Sequence, residues 1–176
     1  MTHADVPRIH LGPDPAPDWL ADAVSAGGGQ LVAAADAEAV VWANARDVSS
    51  LLDVLHETNQ IRWVQLPFAG IENFVAHLDH DRTWTCGKGV YAEPVAEMAL
   101  TLGLAGLRHL GGYTRAGEWS GPDGVILLAG RVTILGGGGI TESLVRLLQP
   151  FQCHITVVRS HVQPMDGVDQ VLAADR

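Results

Sequence analysis

One stretch limits what this chain can fold into more than any other. Arg131-Val132-Thr133-Ile134-Leu135 runs directly into Gly136-Gly137-Gly138-Gly139-Ile140-Thr141, and helical apolar spacing follows from Glu142 to Leu148. A strand, then glycines, then a helix is the pattern of a turn that brings backbone close to a dinucleotide phosphate. Gly136 permits the tight exit from the strand. Gly138 lets the backbone approach a pyrophosphate, whose charge helix N-terminal amides hold. The third fingerprint position, normally Gly or Ala for close helix–strand packing, is Thr141, whose hydroxyl could also donate to a phosphate oxygen. Gly136, Gly138, Gly139, Ile140 and Thr141 are therefore the candidate cofactor residues of the turn. The run is no P-loop, because Gly-Lys-Ser/Thr is missing. A plain glycine-rich turn in an α/β sheet is the competing reading.

Such a fingerprint expects an acidic residue about 20 positions on, at the end of the next strand, to accept the ribose hydroxyls. This chain has Val157-Val158-Arg159-Ser160 there. Arg159 with Ser160 suits a ribose 2′-phosphate, so NADP is expected in preference to NAD. A solvated arginine at a strand end is the bland alternative.

The rest of the chain alternates short strand-like and helix-like runs. Val6 to His10, Gln30 to Ala34, Ala39 to Ala43 and Ile61 to Leu66 read as strands. Pro17 to Ser25 and the spacing Val48, Leu51, Leu52, Leu55 read as helices, the second with Asp47 as N-cap. A further helix is expected over Ile71 to Leu78, and Thr83 to Gly89 reads as a break. Glu93 to Leu110 predicts a long apolar helix that Gly111-Gly112 ends, and Met165 to Arg176 reads as the lead-in to a further βα unit. This alternation predicts parallel sheets. The expected division is 1–90 and 91–176, with a cleft between Ala69-Gly70 and Gly136-Gly139.

Composition excludes several functions. With 47% hydrophobic and 18% charged residues and mean hydropathy +0.15, the chain has ample material for a core and is not disordered. A net charge of −9 argues against nucleic acid as a partner. No apolar run is long enough to span a membrane, the start is no signal peptide, and two cysteines make no disulfide framework, so a cytoplasmic location is expected. His77 and His80 with Asp79 and Asp81 form a polar helix end rather than a metal site. His109 suits a helix C-terminus electrostatically, and Cys86 and Cys153 suit the core.

Several segments together resemble the D-isomer-specific 2-hydroxyacid dehydrogenases, the family of glyoxylate/hydroxypyruvate reductases and phosphoglycerate dehydrogenases. Ile61 to Glu72 is similar to the family's substrate loop, and Glu93-Pro94-Val95-Ala96-Glu97-Met98-Ala99-Leu100 to its helix that opens the cofactor domain and runs to Arg108. Tyr113, Arg115, Gly117 and Trp119 match the arm that follows, and Leu128 to Thr141 match the cofactor turn. The resemblance implies a flavodoxin-like substrate domain followed by an incomplete Rossmann domain. It implies that amides around Ala69, Gly70 and Ile71 hold a substrate carboxylate, and that Val95 lies against a nicotinamide. Met98 and Leu102, at helical spacing from it, are read as core. The implied activity is reduction of a small 2-oxo acid to a D-2-hydroxy acid with NAD(P)H, by a homodimer formed through residues 93–124. The family's catalytic Arg, Glu and His have no counterpart up to Arg176, so these 176 residues alone are expected to lack turnover. A non-catalytic nucleotide-binding or regulatory protein on the same scaffold is the second reading.

Overall fold

The run Ala39-Val40-Val41-Trp42 is apolar on both faces, the signature of a strand covered on both sides. The computed structural model, which describes residues 6–174, places it at the centre of a parallel sheet. The elements are β1 (Arg8–Gly12), α1 (Asp18–Ala26), β2 (Gln30–Leu31), β3 (Ala39–Trp42), α2 (Val48–Glu57), β4 (Trp63–Gln65) and β5 (Thr83–Thr85). Their order across the sheet is β2-β1-β3-β4-β5, with every neighbouring pair parallel. That is the flavodoxin-like order, in which sites form at the carboxyl ends of the strands.

Helix α2 begins where Asp47 was expected to cap it: the carboxylate accepts from the Ser50 amide at 3.2 Å. The spacing Leu51, Leu55 puts both side chains into the core with Val40, Trp42, Val64, Leu66 and Phe74. The cap and core are tied together, because the Trp42 indole N–H donates to the Asp47 carbonyl at 3.0 Å. Cys86 packs against this cluster, as expected of a small apolar side chain.

Three local expectations fail for identifiable reasons. Ile71 to Leu78 is not a helix but a turn followed by one 3₁₀ turn, Val75–His77. Phe74 is anchored in the core, and the Asp79 carboxylate takes the amides of Asp81 and Arg82, which bends the chain out of helical geometry. Burial raises the Asp79 carboxyl, but the Arg82 charge and hydrogen bonds from Trp84 and Arg82 outweigh it and hold it below its ordinary value. Thr83–Thr85, read as part of a break, is the edge strand β5; its partner β4, some 20 residues earlier, supplies the hydrogen bonds. The strand expected over Gln30 to Ala34 keeps only two residues before a 3₁₀ turn.

The chain divides into two units between Lys88 and Gly89. The second contains α3 (Ala92–Leu107), α4 (Leu110–Tyr113), β6 (Arg131–Leu135), α5 (Gly139–Leu148), β7 (His154–Val158) and β8 (Gln170–Leu172). Its three strands are parallel in the order β6-β7-β8, half of a doubly wound sheet. Val145, Leu148, Ile155 and Val157 form its core, with Leu100, Val132, Ile134 and Cys153 packed on them. The stretch after Met165 is more than a lead-in, since β8 pairs with β7 from Thr156↔Gln170 to Val158↔Leu172. Residues 175 and 176 lie outside the described residues.

Helix α3 is shorter than expected. It ends at Leu107 because His109 takes a left-handed conformation (φ 54°), and Gly111 and Gly112 sit inside α4 rather than terminating α3. Ala96 is buried and Leu100 and Leu104 are half-buried, a stripe at i, i+4, i+8. Met98 and Leu102 fall off that stripe and are 57% and 63% exposed, so the reading of both as core is corrected.

A Cβ on Gly12, at the end of β1, would overlap the six-membered ring of the buried Trp42. Gly12→Ala should therefore destabilise the first unit by about 1–3 kcal/mol, the usual cost of overpacking a rigid core. Chemical denaturation followed by tryptophan fluorescence checks this; an unchanged midpoint would contradict it.

Candidate functional site

Parallel pairing of β6 and β7 in the register Leu135↔Val158 brings two strand ends to one edge. The pairing runs one step past the strands, with the Gly136 amide donating to the Val158 carbonyl at 2.8 Å. Gly136 then turns the chain with φ +101°, a conformation glycine adopts without steric cost. Gly138 is the N-cap of α5 and supplies no side chain to cap it. The first-turn amides of a helix have no intrahelical partner, so those of Gly139, Ile140 and Thr141 are available to an anion. A Cβ at Gly136 or Gly138 would meet nothing within 4 Å, so the turn offers open backbone that a dinucleotide phosphate fits.

Thr141 is packed in as its place in the motif requires, but its hydroxyl is not directed to a phosphate. Its side chain is buried and its hydroxyl donates to the Gly136 carbonyl at 2.9 Å. A hydroxyl has one proton, and this one is spent closing the turn on itself. Thr141 is a staple of the loop rather than a phosphate donor.

Arg159 leaves β7 at the same edge, its amide donating to the Leu172 carbonyl of β8 at 2.9 Å. Its side chain lies across the glycine turn at Gly137. Arg159 lines an open pocket of about 460 Å³ with Arg146, Glu142 and Asp166. Ser160 is exposed, with its hydroxyl 3.2 Å from His161 Nδ1. The structure thus brings Arg159 and the glycines together. Ile140 is exposed at the same helix start. Ala92, at the start of α3, would stand 3.7 Å from a Cβ on Gly139, and Val95 lies one helical turn further on, also exposed.

In the first unit, the segment from Pro67 to Ile71 leaves β4 at the carboxyl edge of its sheet. Ala69 and Gly70 are exposed and Ile71 is half-buried against the core. Gly87 holds this segment from the exit of β5, its amide donating to the Phe68 carbonyl at 3.1 Å. Sequence reasoning missed Glu72, whose carboxylate lies over Gly70, 2.8 Å from where a Cβ would stand. The short Gly-Ile-Glu spacing was the available signal.

The arm after α4 is closed at its base. His109 Nδ1 is hydrogen-bonded to the Asp123 carboxylate, and Asp123 accepts from the Gly124 amide at 2.7 Å. These two hydrogen bonds, and then the charge of His109, hold the Asp123 carboxyl below its ordinary value. His109 stands directly after the C-cap of α3, at the helix end where it was expected, and also closes the arm through Asp123. The Asp123 amide donates to the Tyr113 hydroxyl, which lies within reach of the Gly121 carbonyl.

No protein-family model matches the chain. An uncharacterized Corynebacterium melassecola protein from the region 3′ of proB is 33% identical over 125 residues, covering 66% of this chain and 41% of that protein. Among solved structures, a D-isomer-specific 2-hydroxyacid dehydrogenase family protein from Aeromonas salmonicida aligns with TM-score 0.76 at 19% identity. The alignment covers 96% of this chain and 58% of the other. The fold is that of the D-isomer-specific 2-hydroxyacid dehydrogenases. The Xanthobacter autotrophicus enzyme of this description, solved with NADPH and MES, aligns with TM-score 0.75 at 15% identity, covering 97% of this chain and 58% of its own. A glyoxylate reductase from Paecilomyes thermophila gives 0.69 at 18% identity, covering 97% and 60%. This chain thus spans about two-fifths of the curated relative and about three-fifths of the solved dehydrogenases. Among the described residues, no helix is long and apolar enough to cross a membrane.

Thr141→Val keeps the shape of the side chain and deletes the bond to the Gly136 carbonyl. The expected cost is about 1–2 kcal/mol, confined to the second unit, with faster hydrogen exchange at the amides of α5. Unchanged exchange there would show that the staple is dispensable.

Proposed function

We propose that the complete protein is a cytoplasmic reductase of small 2-oxo acids, giving D-2-hydroxy acids, with NADPH preferred to NADH. The observation that carries this is the corner formed by β6 and β7, where the glycine turn and the Arg159 side chain lie against one another. The first-turn amides of α5 are suited to a pyrophosphate. Arg159 supplies a cation for a ribose 2′-phosphate, with Ser160 adding a neutral donor beside it, where an acidic residue would repel one. Val95 gives an apolar surface for a nicotinamide. When bound, the dinucleotide supplies the hydride.

The segment of exposed Ala69 and Gly70, running into half-buried Ile71, is suited to the substrate carboxylate, since the two small residues leave its amides accessible. Glu72 carries a like charge at that turn and has to swing aside when substrate binds. Residues 1–176 contain no match to the family's catalytic Arg, Glu and His, so we assign them binding rather than proton transfer. The assay for turnover uses the complete protein.

Exposed Met98, Leu102 and Leu110, together with Trp119 at 86% exposure, favour a homodimer through residues 93–124. Light scattering of the complete protein at micromolar concentration should give a dimer mass; a monomer mass would remove this part of the reading.

A hydrogen bond to a charged group contributes about 1.5–3 kcal/mol, and solvent exposure at the ribose end favours the lower figure. Arg159→Ala should therefore weaken NADPH binding about tenfold and leave NADH binding nearly unchanged. Calorimetric titration of the complete protein with each cofactor decides it. Equal or tighter binding of NADH by the wild type would reduce Arg159 to a solvated strand end.

A further inference from the structure

The four glycines of the turn do not share one reason for being glycine. Gly136 needs its positive φ, and a Cβ on Gly138 would point into open space. A Cβ on Gly139 would make only an ordinary contact with Ala92, at 3.7 Å. Gly137 differs from all three. Its backbone lies outside the left-handed region, so conformation does not demand glycine there. A Cβ at Gly137 would instead stand 2.6 Å from Arg159 Cδ, 3.0 Å from Nε and 3.2 Å from Nη1. The stem of Arg159 occupies the space that a side chain at Gly137 would fill.

That seat matters because little else fixes the guanidinium. Among the described residues Arg159 forms no ion pair, and its backbone is held only by the sheet. The pocket it lines also holds the carboxylates of Glu142 and Asp166, on a chain whose net charge is −9. Once off its seat, the arginine has these two carboxylates in its own pocket to compete with a phosphate for its charge.

We propose that Gly137 is a positioning residue for cofactor choice: it seats the Arg159 side chain and so holds the guanidinium at the edge where a dinucleotide 2′-phosphate is read. This rests on the role assigned above to Arg159. Gly137 takes no part in holding the pyrophosphate. The absence of its side chain pre-orders a cation carried by the next strand, which lowers the cost of ordering that cation on binding.

The test is a set of calorimetric titrations of the complete protein with NADPH and NADH for wild type, G137A, R159A and G137A/R159A. Because the backbone accepts alanine and only a flexible stem is displaced, G137A should fold, with an unchanged circular dichroism spectrum. R159A removes the clash, so the double variant is the second route if G137A alone is unstable. The expected result is NADPH affinity lowered about tenfold in G137A, NADH affinity within about twofold, and no further loss in the double variant relative to R159A. Adding Asp166→Asn to G137A should restore part of the preference by removing a competing carboxylate.

If R159A loses the NADPH preference and G137A keeps it, the seat is overturned and the role of Arg159 stands. Equal weakening of both cofactors by G137A also overturns it, because the substitution then disturbs the pyrophosphate cradle. A double variant that binds NADPH more weakly than R159A gives Gly137 a role of its own and likewise overturns the seat. If R159A keeps the preference, the reading of Arg159 falls and the inference with it.

Discussion

The second unit depends on the parallel pairing of β6 with β7, and above all on its last hydrogen bond. The Gly136 amide, already past the end of its strand, still donates to the Val158 carbonyl. That bond fixes where the chain leaves the sheet. From it follow the left-handed exit at Gly136, the start of α5 one step beyond Gly138, and the adjacency of the glycine turn to Arg159. A slip of one residue would move every side chain of β6 to the opposite face and separate the two halves of the corner. The core side chains Ile155 and Val157 on β7, with Val132 and Ile134 on β6, hold the register against that slip.

The glycine turn is held from within as well as from the sheet. Thr141 spends its hydroxyl on the Gly136 carbonyl, so the turn has an internal strut, and its side chain is buried at a place that usually calls for Gly or Ala. The remaining openness is concentrated at the amides of Gly139, Ile140 and Thr141. Rigid backbone next to unfilled space is what electrostatic recognition of a phosphate requires, because donors that are already oriented need no reorganisation on binding.

The first unit follows the same physical pattern with different residues. Its sheet brings the Pro67 to Ile71 segment to a carboxyl edge, and Gly87 holds that segment from the neighbouring strand. Asp47 shows how one residue can serve both boundary and core. Its carboxylate caps α2 while its carbonyl receives the indole N–H of Trp42, so the helix start and the largest buried side chain are positioned together.

The sequence alone determined the alternation of strands and helices, the Asp47 cap, the strand–glycine–helix turn and the arginine at the end of the next strand. These are local features: period, capping chemistry and the conformational freedom of glycine act over a few residues. Only the tertiary structure decided β5 and β8, because an edge strand of three residues exists through its partner's hydrogen bonds and has no periodicity of its own. Tertiary packing also decided which face of α3 is covered. Ala96 is buried and Leu100 packs on the core that α5 shares with the sheet, while Met98 and Leu102, equally apolar, stay exposed. The task of Gly137 was invisible for the same reason. It depends on where a side chain 22 positions later comes to rest, and parallel pairing of two strands, not anything local to either residue, brings them together.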